Sequence, residues 1–164
     1  MDNNINNMIS ISMPKGCRYM SDYENLLNGE LPLDRKFILN KTVTGCGGTS
    51  LFLNSDFPVV IISPRLQVLK EKHRQYPDSF HFHVPLCSNR GQAIIQMMRD
   101  LDSYLNYHHG STPFTPLPMR PAKILVTLDS SDKVLGVLRG NNMLDSCLFV
   151  VDEFQCLMGD ATFK

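Results

Sequence analysis

Short apolar runs alternate along the chain with segments in which apolar residues recur at helical spacing. The runs are rich in β-branched and aromatic residues, and they predict strands at 37–39, 58–62, 80–84, 123–127 and 147–151. Helices are predicted from three apolar sets: Leu66, Leu69, His73 and Tyr76; Ile94, Ile95, Met98, Leu101 and Leu105; Val134, Leu135 and Leu138. Strands that alternate with helices and are apolar on both faces favour an α/β fold with a mainly parallel, covered sheet.

The composition is that of one soluble domain without a strong charge bias. The chain has 164 residues, in which 16 Lys and Arg balance 16 Asp and Glu, so any contact with nucleic acid needs a local basic patch. The 5 cysteines include no C-x-x-C pair, which argues against a disulfide framework and a zinc ribbon. No apolar run approaches the roughly 20 residues that span a bilayer, and no signal-peptide pattern opens the chain. We therefore expect a cytoplasmic protein that does not enter a membrane.

A glycine-rich turn follows the strand predicted at 37–39 and precedes a predicted helix start. Gly45, Gly47 and Gly48 allow consecutive backbone N–H groups to point inward, because no Cβ atom obstructs them. A phosphate group suits such a turn, since the N-terminal end of the following helix adds positive charge. The hydroxyl of Thr49 or Ser50 is a candidate ligand for Mg²⁺. The pattern therefore predicts a phosphate loop.

The loop lacks the lysine that the standard pattern G-x-x-x-x-G-K-[ST] places before its hydroxyl residue. Gly48 stands at that position. Lys41, just before the turn, is the nearest cationic candidate to contact the outer phosphates, and the alternative is that it faces solvent. The missing charge should affect hydrolysis more than binding, because the backbone N–H groups remain.

Two adjacent carboxylates, Asp152 and Glu153, come directly after the strand predicted at 147–151. A parallel strand that ends in this way places them at the carboxyl edge of the sheet, where ligands of open α/β sheets bind. In nucleotide hydrolysis one carboxylate holds Mg²⁺ and the other orients the attacking water. By itself the pair is equally typical of a solvated turn, but together with an upstream glycine loop it favours a nucleotide site.

Four segments of the chain read as motifs in a fixed order: TGCGGT at 44–49, VVIISPR at 59–65, LVTLDS at 125–130 and VDEFQ at 151–155. They resemble the motifs T-G-x-G-K-T, strand-P-T/S-R, V-T-T-x-x-S and D-E-x-H or D-E-x-Q. These motifs belong to the first RecA-like half of superfamily 2 helicases and related ATPases, of the kind carried by phages and mobile elements. The resemblance covers residues 36–164.

The resemblance implies a role for each residue at a matching position. The nucleotide-binding residues would be Thr44, Gly45, Cys46, Gly47, Gly48, Thr49 and Ser50, with Lys41 as the additional candidate cation. Thr49 and Asp152 would hold Mg²⁺, Glu153 would act as the base that orients water, and Gln155 would sense the nucleotide. Contacts with nucleic acid, expected to be single-stranded DNA, would come from Ser63, Pro64, Arg65, Thr127 and Ser130. The expected cofactors are ATP and Mg²⁺.

The implied fold is a three-layer, RecA-like P-loop NTPase domain at residues 36–164, preceded by an N-terminal extension at 1–35. The family's next strand and its second RecA-like domain, which carries the arginine finger, would then belong to the rest of a larger protein. The implied function is that of a helicase or nucleic-acid-dependent ATPase in DNA replication, with hydrolysis expected only from the full-length protein. The alternative is a catalytically weakened P-loop domain that serves as a nucleotide-sensing or scaffolding module.

Two further groups of side chains lie wholly or mostly outside these motifs. His81 and His83 lie two residues apart on a predicted strand and face one side, but metal binding needs further ligands that their spacing does not supply. The segment 65–74 is the most basic of the chain, and it fits either a phosphate-contacting patch or a solvated helix face.

Overall fold

The computed structural model describes residues 10–34, 36–39, 45–109 and 120–152. The chain divides into two compact units, Met1–Ser55 and Asp56–Lys164, called the first and the second unit below. The limits predicted from the resemblance, 1–35 and 36–164, concern a family domain rather than a compact unit and stay a prediction. Among the described residues, no helix is both long enough and apolar enough to cross a membrane.

The described residues of the first unit form two short 3₁₀ turns and one short helix. The turns are Met20–Asp22 and Glu24–Leu26, and helix α1 is Gly48–Leu53. The buried apolar side chains of the first unit come from α1 and from the segment before it: Leu26, Leu31, Leu51, Phe52 and Leu53. Helix α1 has only six residues, so its stability comes from this burial rather than from helix propensity.

The second unit is a mixed α/β structure built on a four-stranded parallel sheet. Its elements, in chain order, are β1 (Val59–Ser63), α2 (Leu66–Gln75), β2 (Phe80–Phe82), α3 (Arg90–His109), β3 (Lys123–Thr127), α4 (Ser131–Gly140) and β4 (Leu148–Val151). The strand order is β2-β3-β1-β4. The three helices predicted from apolar spacing are confirmed, and the four strands predicted after residue 55 are confirmed with shifts of at most two residues at their ends.

The main apolar core of the second unit lies between one face of the sheet and helices α3 and α4. The strands contribute Val60, Ile62, Phe82, Ile124 and Val126, whereas the helices contribute Leu101, Leu105, Val134, Val137 and Leu138. Successive strand side chains point to opposite faces, so Ile61 and Leu125 lie on the other face, and both are fully buried. The fully buried Leu69 of α2 is likewise outside this core cluster. Burial on both faces explains why β1 and β3 read as continuous apolar runs.

The prediction of a strand at 37–39 is wrong, because the described residues 36–39 form no strand. Ile38 is 82% exposed. An inner parallel strand needs burial on both faces, and three apolar residues after the charged Lys36 provide too little apolar surface to specify one.

In the fold that the chain resembles, the strand before the acidic pair would lie near the centre of the sheet, and the described residues contradict this expectation. Strand β4 pairs with β1 alone, in the register Val59↔Leu148 to Ile62↔Val151. Its side chains alternate between half-buried and exposed, with Phe149 36% and Val151 41% exposed. In the part of the chain that the structure describes, β4 is therefore an edge strand.

Candidate nucleotide-binding site

The glycine loop has a backbone conformation that explains two of its glycines. Gly45 has φ +72° and Gly47 has φ +82°, both in the left-handed region that other residues seldom adopt. Gly47 is the N-cap of α1, and its carbonyl accepts a hydrogen bond from the Leu51 N–H at 2.8 Å. The predicted helix start directly after the glycine turn is thereby confirmed, and Gly48, Thr49 and Ser50 form its first turn.

The same loop packs against the 3₁₀ turn that begins at Met20. The Met20 N–H donates to the Cys46 carbonyl at 2.7 Å, and the sulfur atoms of these two residues lie 3.4 Å apart. A Cβ atom added to Gly47 would lie 2.9 Å from the Tyr19 Cβ and 3.1 Å from the Ser21 hydroxyl oxygen. Glycine is therefore needed at position 47 for its dihedral angles and also for the close approach of this turn. This contact could not be predicted from the sequence, because no local pattern pairs residue 19 with residue 47.

Several predicted site residues of the second unit meet at the carboxyl edge of the sheet. Ser63 and Thr127, the last residues of β1 and β3, are directly paired in the parallel register. Asp152 follows the last residue of β4, and its N–H donates to the Ile62 carbonyl at 2.9 Å. The parallel arrangement thus brings residues of three motif-like segments to the carboxyl edge, where the position of Asp152 was predicted.

The polar residues at this edge differ in their exposure and in their local contacts. Ser63 is fully buried, and its hydroxyl oxygen accepts the Arg65 N–H at 3.3 Å. Pro64 and Arg65 are exposed, and Arg65 is the N-cap of α2. Ser130 is the N-cap of α4, but its side chain makes no capping hydrogen bond. The edge therefore carries an exposed arginine, the buried Ser63 hydroxyl, and the partly exposed Thr127, Ser130 and Asp152.

Four residues predicted from the motifs lie outside the described residues: Lys41, Thr44, Glu153 and Gln155. Gly45–Ser50 belong to the first unit and Asp152 to the second. The joint Mg²⁺ site of Thr49 and Asp152 accordingly stays a prediction. Within the described ranges, no group of three or more His, Cys, Asp or Glu side chains is arranged to hold a metal ion.

Lys123 and Tyr104 have displaced pKa values but lie away from this edge. Burial lowers the pKa of Lys123 to about 8, partly opposed by the charge of Asp56, and its ammonium group donates to the Phe57 carbonyl at 2.6 Å. Burial also raises the pKa of Tyr104, whose hydroxyl donates to the Asp78 carbonyl and accepts the Lys123 N–H, both at 3.0 Å. Because Lys123 begins β3, these bonds hold the amino edge of the sheet together and do not contribute to the candidate site.

No protein-family model matches the chain, and neither the curated proteins nor the solved structures include a match. The class of the protein therefore follows from its structure: it is a mixed α/β protein whose second unit is built on a four-stranded, all-parallel sheet.

Proposed function

We propose that the chain is the ATP-binding N-terminal portion of a nucleic-acid-dependent ATPase or helicase that acts in phage or mobile-element DNA replication. The observation that carries the proposal is the parallel sheet, in which Ser63, Thr127 and Asp152 belong to three motif-like segments and lie at one edge. Ligands of open parallel sheets bind outside that edge. The order of the motifs along the chain supplies the second support.

In this proposal the glycine loop holds the phosphate groups of ATP. The left-handed Gly45 and Gly47 support it, since such residues turn consecutive backbone N–H groups toward one side, where they bind anions. Thr49, in the first turn of α1, would contribute its hydroxyl to Mg²⁺. The backbone does not depend on a lysine for this contact, so triphosphate binding is compatible with Gly48.

The acidic pair would complete the site from the end of β4. Asp152 would hold Mg²⁺, and Glu153 would orient the water that attacks the outer phosphate. Gln155 would respond to the bound nucleotide. Mg²⁺ prefers oxygen ligands, and a hydroxyl group with one carboxylate leaves room for phosphate oxygens and water in its octahedral shell.

The unpaired edge of β4 is compatible with a sheet that has a further strand outside the described residues. In the family that the chain resembles, a further strand lies between the acidic strand and the phosphate-loop strand. Within the described residues the outer side of β4 has no strand partner, and Phe149 and Val151 are partly exposed there. A strand from the rest of the protein would cover both side chains.

Nucleic acid would lie along the ends of β1 and β3. Arg65 is an exposed residue that follows Ser63 and Pro64 in the chain, and Thr127 is the register partner of Ser63. One arginine with hydroxyl and backbone donors suits contacts with a phosphate backbone, which position a strand without reading its bases. A sequence-independent contact of this kind is what a translocating ATPase needs.

A second candidate function rests on the glycine at position 48. Without a lysine on the outer phosphates, the domain would bind nucleotide and turn it over slowly, and it would serve replication as a nucleotide-sensing or scaffolding module.

Phosphate release by the full-length protein, with and without single-stranded DNA, separates the two functions. If the protein is an ATPase, phosphate release should rise with DNA and should be lost in Glu153→Gln. The glutamine side chain has the same shape as glutamate but cannot act as a base. The module proposal expects nucleotide binding with little release in either protein. Strong release that is unchanged by Glu153→Gln would exclude Glu153 as the base.

A further inference from the structure

Three histidine rings lie side by side where α2 meets β2. The ring centroids of His73 and His81 are 5.7 Å apart with planes tilted by 44°, and those of His81 and His83 are 5.6 Å apart with planes tilted by 11°. Sequence spacing shows only the pair at 81 and 83. The fold adds His73 from helix α2, which none of the motifs of the proposed function uses.

The hydrogen bonds of Ser79 determine which nitrogen of neutral His73 carries the proton. The Ser79 hydroxyl donates its single hydrogen to the Tyr76 carbonyl at 2.6 Å, so it can only accept from the His73 Nδ1, which lies 3.2 Å away. Neutral His73 therefore has its proton on Nδ1 and a lone pair on Nε2. An imidazole whose other nitrogen is held by a hydrogen bond in this way is oriented as metal-binding histidines are.

His81 offers a second nitrogen without a protein partner. Its Nε2 is buried and has no hydrogen-bond partner in the part of the chain that the structure describes. A buried imidazole nitrogen without a hydrogen-bond partner is costly, and a bound metal ion would remove this cost.

The separation of the two rings fits one shared cation. With a metal–nitrogen distance of about 2.0–2.1 Å, the centroid of a ligating imidazole lies about 3.2 Å from the metal. Two such centroids are about 5.2 Å apart at a tetrahedral angle and at most about 6.4 Å apart. The 5.7 Å between His73 and His81 lies within this range. His83 is stacked nearly parallel on His81, and stacked parallel rings cannot both contain the same ion in their planes.

We propose that the Nε2 atoms of His73 and His81 chelate a divalent transition-metal ion of the Zn²⁺ and Ni²⁺ class, with water at the remaining positions. Imidazole ligands select this class over Mg²⁺, so the site is separate from the proposed nucleotide site. No third His, Cys, Asp or Glu ligand joins the pair within the described ranges, which makes the bound ion exchangeable. The ammonium group of Lys70 opposes the ion and limits its affinity.

The test is a calorimetric titration of Ni²⁺ into the chain, purified without a polyhistidine tag, near pH 7.5. We expect one saturable equivalent, whose affinity falls at least about tenfold in His73→Asn and in His81→Asn. The matched control His83→Asn should change the affinity by no more than about twofold, and Lys70→Gln should raise it.

The thermal unfolding of each metal-free variant shows whether it is folded. If His81→Asn does not fold, the affinity of His73→Asn is the deciding measurement, because His73 is partly exposed and its substitution disturbs the core less. No saturable equivalent, or an equal effect of His73→Asn and His83→Asn, would overturn the proposal. The result does not depend on ATP binding, so it stands or fails independently of the proposed function.

Discussion

Substituting Gly47 with alanine tests whether the glycine loop is held by the turn at Tyr19–Ser21. The new Cβ would lie 2.9 Å from the Tyr19 Cβ, which cannot move without its backbone. A non-glycine residue in the left-handed region costs about 1–2 kcal/mol, and overpacking adds about 1–3 kcal/mol. We therefore expect Gly47→Ala to destabilise the first unit by about 2–5 kcal/mol, a large part of a typical folding free energy.

Gly45→Ala is the matched control for this prediction. Gly45 also has a positive φ, but a Cβ atom added to it would meet nothing within 4 Å. It should cost only the conformational term of about 1–2 kcal/mol. Hydrogen exchange of the Leu51 amide, which donates to the Gly47 carbonyl, measures the opening free energy at this place. Equal losses in the two variants would refute the role of the Tyr19 contact.

Three further predictions concern nucleotide affinity, pH dependence and the core. If Lys41 contacts the outer phosphates, Lys41→Ala weakens ATP binding about ten- to a hundredfold more than AMP binding, as competition titrations would show. Because the folded pKa of His81 is about 4, below the roughly 6.5 of unfolded histidine, the unfolded state binds more protons between these values. Stability measured by urea unfolding should therefore fall as the pH is lowered from 6.5 to 4, and His81→Asn should reduce this slope. Leu105→Ala, at a fully buried position of the main core, should cost about 2–5 kcal/mol in the same assay.

The sequence predicted elements well where one strand or helix carries its own pattern. The strand at 123–127 was predicted with its observed limits, because its inner residues are apolar on both faces. The helix around Leu101 and Leu105 was recognisable from its spacing alone. The prediction of a strand at 37–39 was wrong, because an apolar run of three residues is too short to specify pairing with another strand.

The features of the glycine loop and of the histidine pair that the sequence did not predict depend on contacts between residues far apart in the chain. The approach of Tyr19 to Gly47 and of His73 to His81 joins different elements, and no local periodicity encodes either contact. The meeting of Ser63 and Thr127 was foreseeable, because the carboxyl ends of parallel strands share an edge.

Titration of ATP into the chain, with and without Mg²⁺, tests the proposed nucleotide site. We expect saturable binding of ATP that is tighter with Mg²⁺ present, and loss of this Mg²⁺ dependence in Asp152→Asn, because an amide is a weaker Mg²⁺ ligand than a carboxylate. AMP should show no comparable dependence, since the proposed ion bridges the outer phosphates. The absence of saturable ATP binding, or a Mg²⁺ dependence that Asp152→Asn leaves unchanged, would contradict a nucleotide site shared by the glycine loop and the acidic strand.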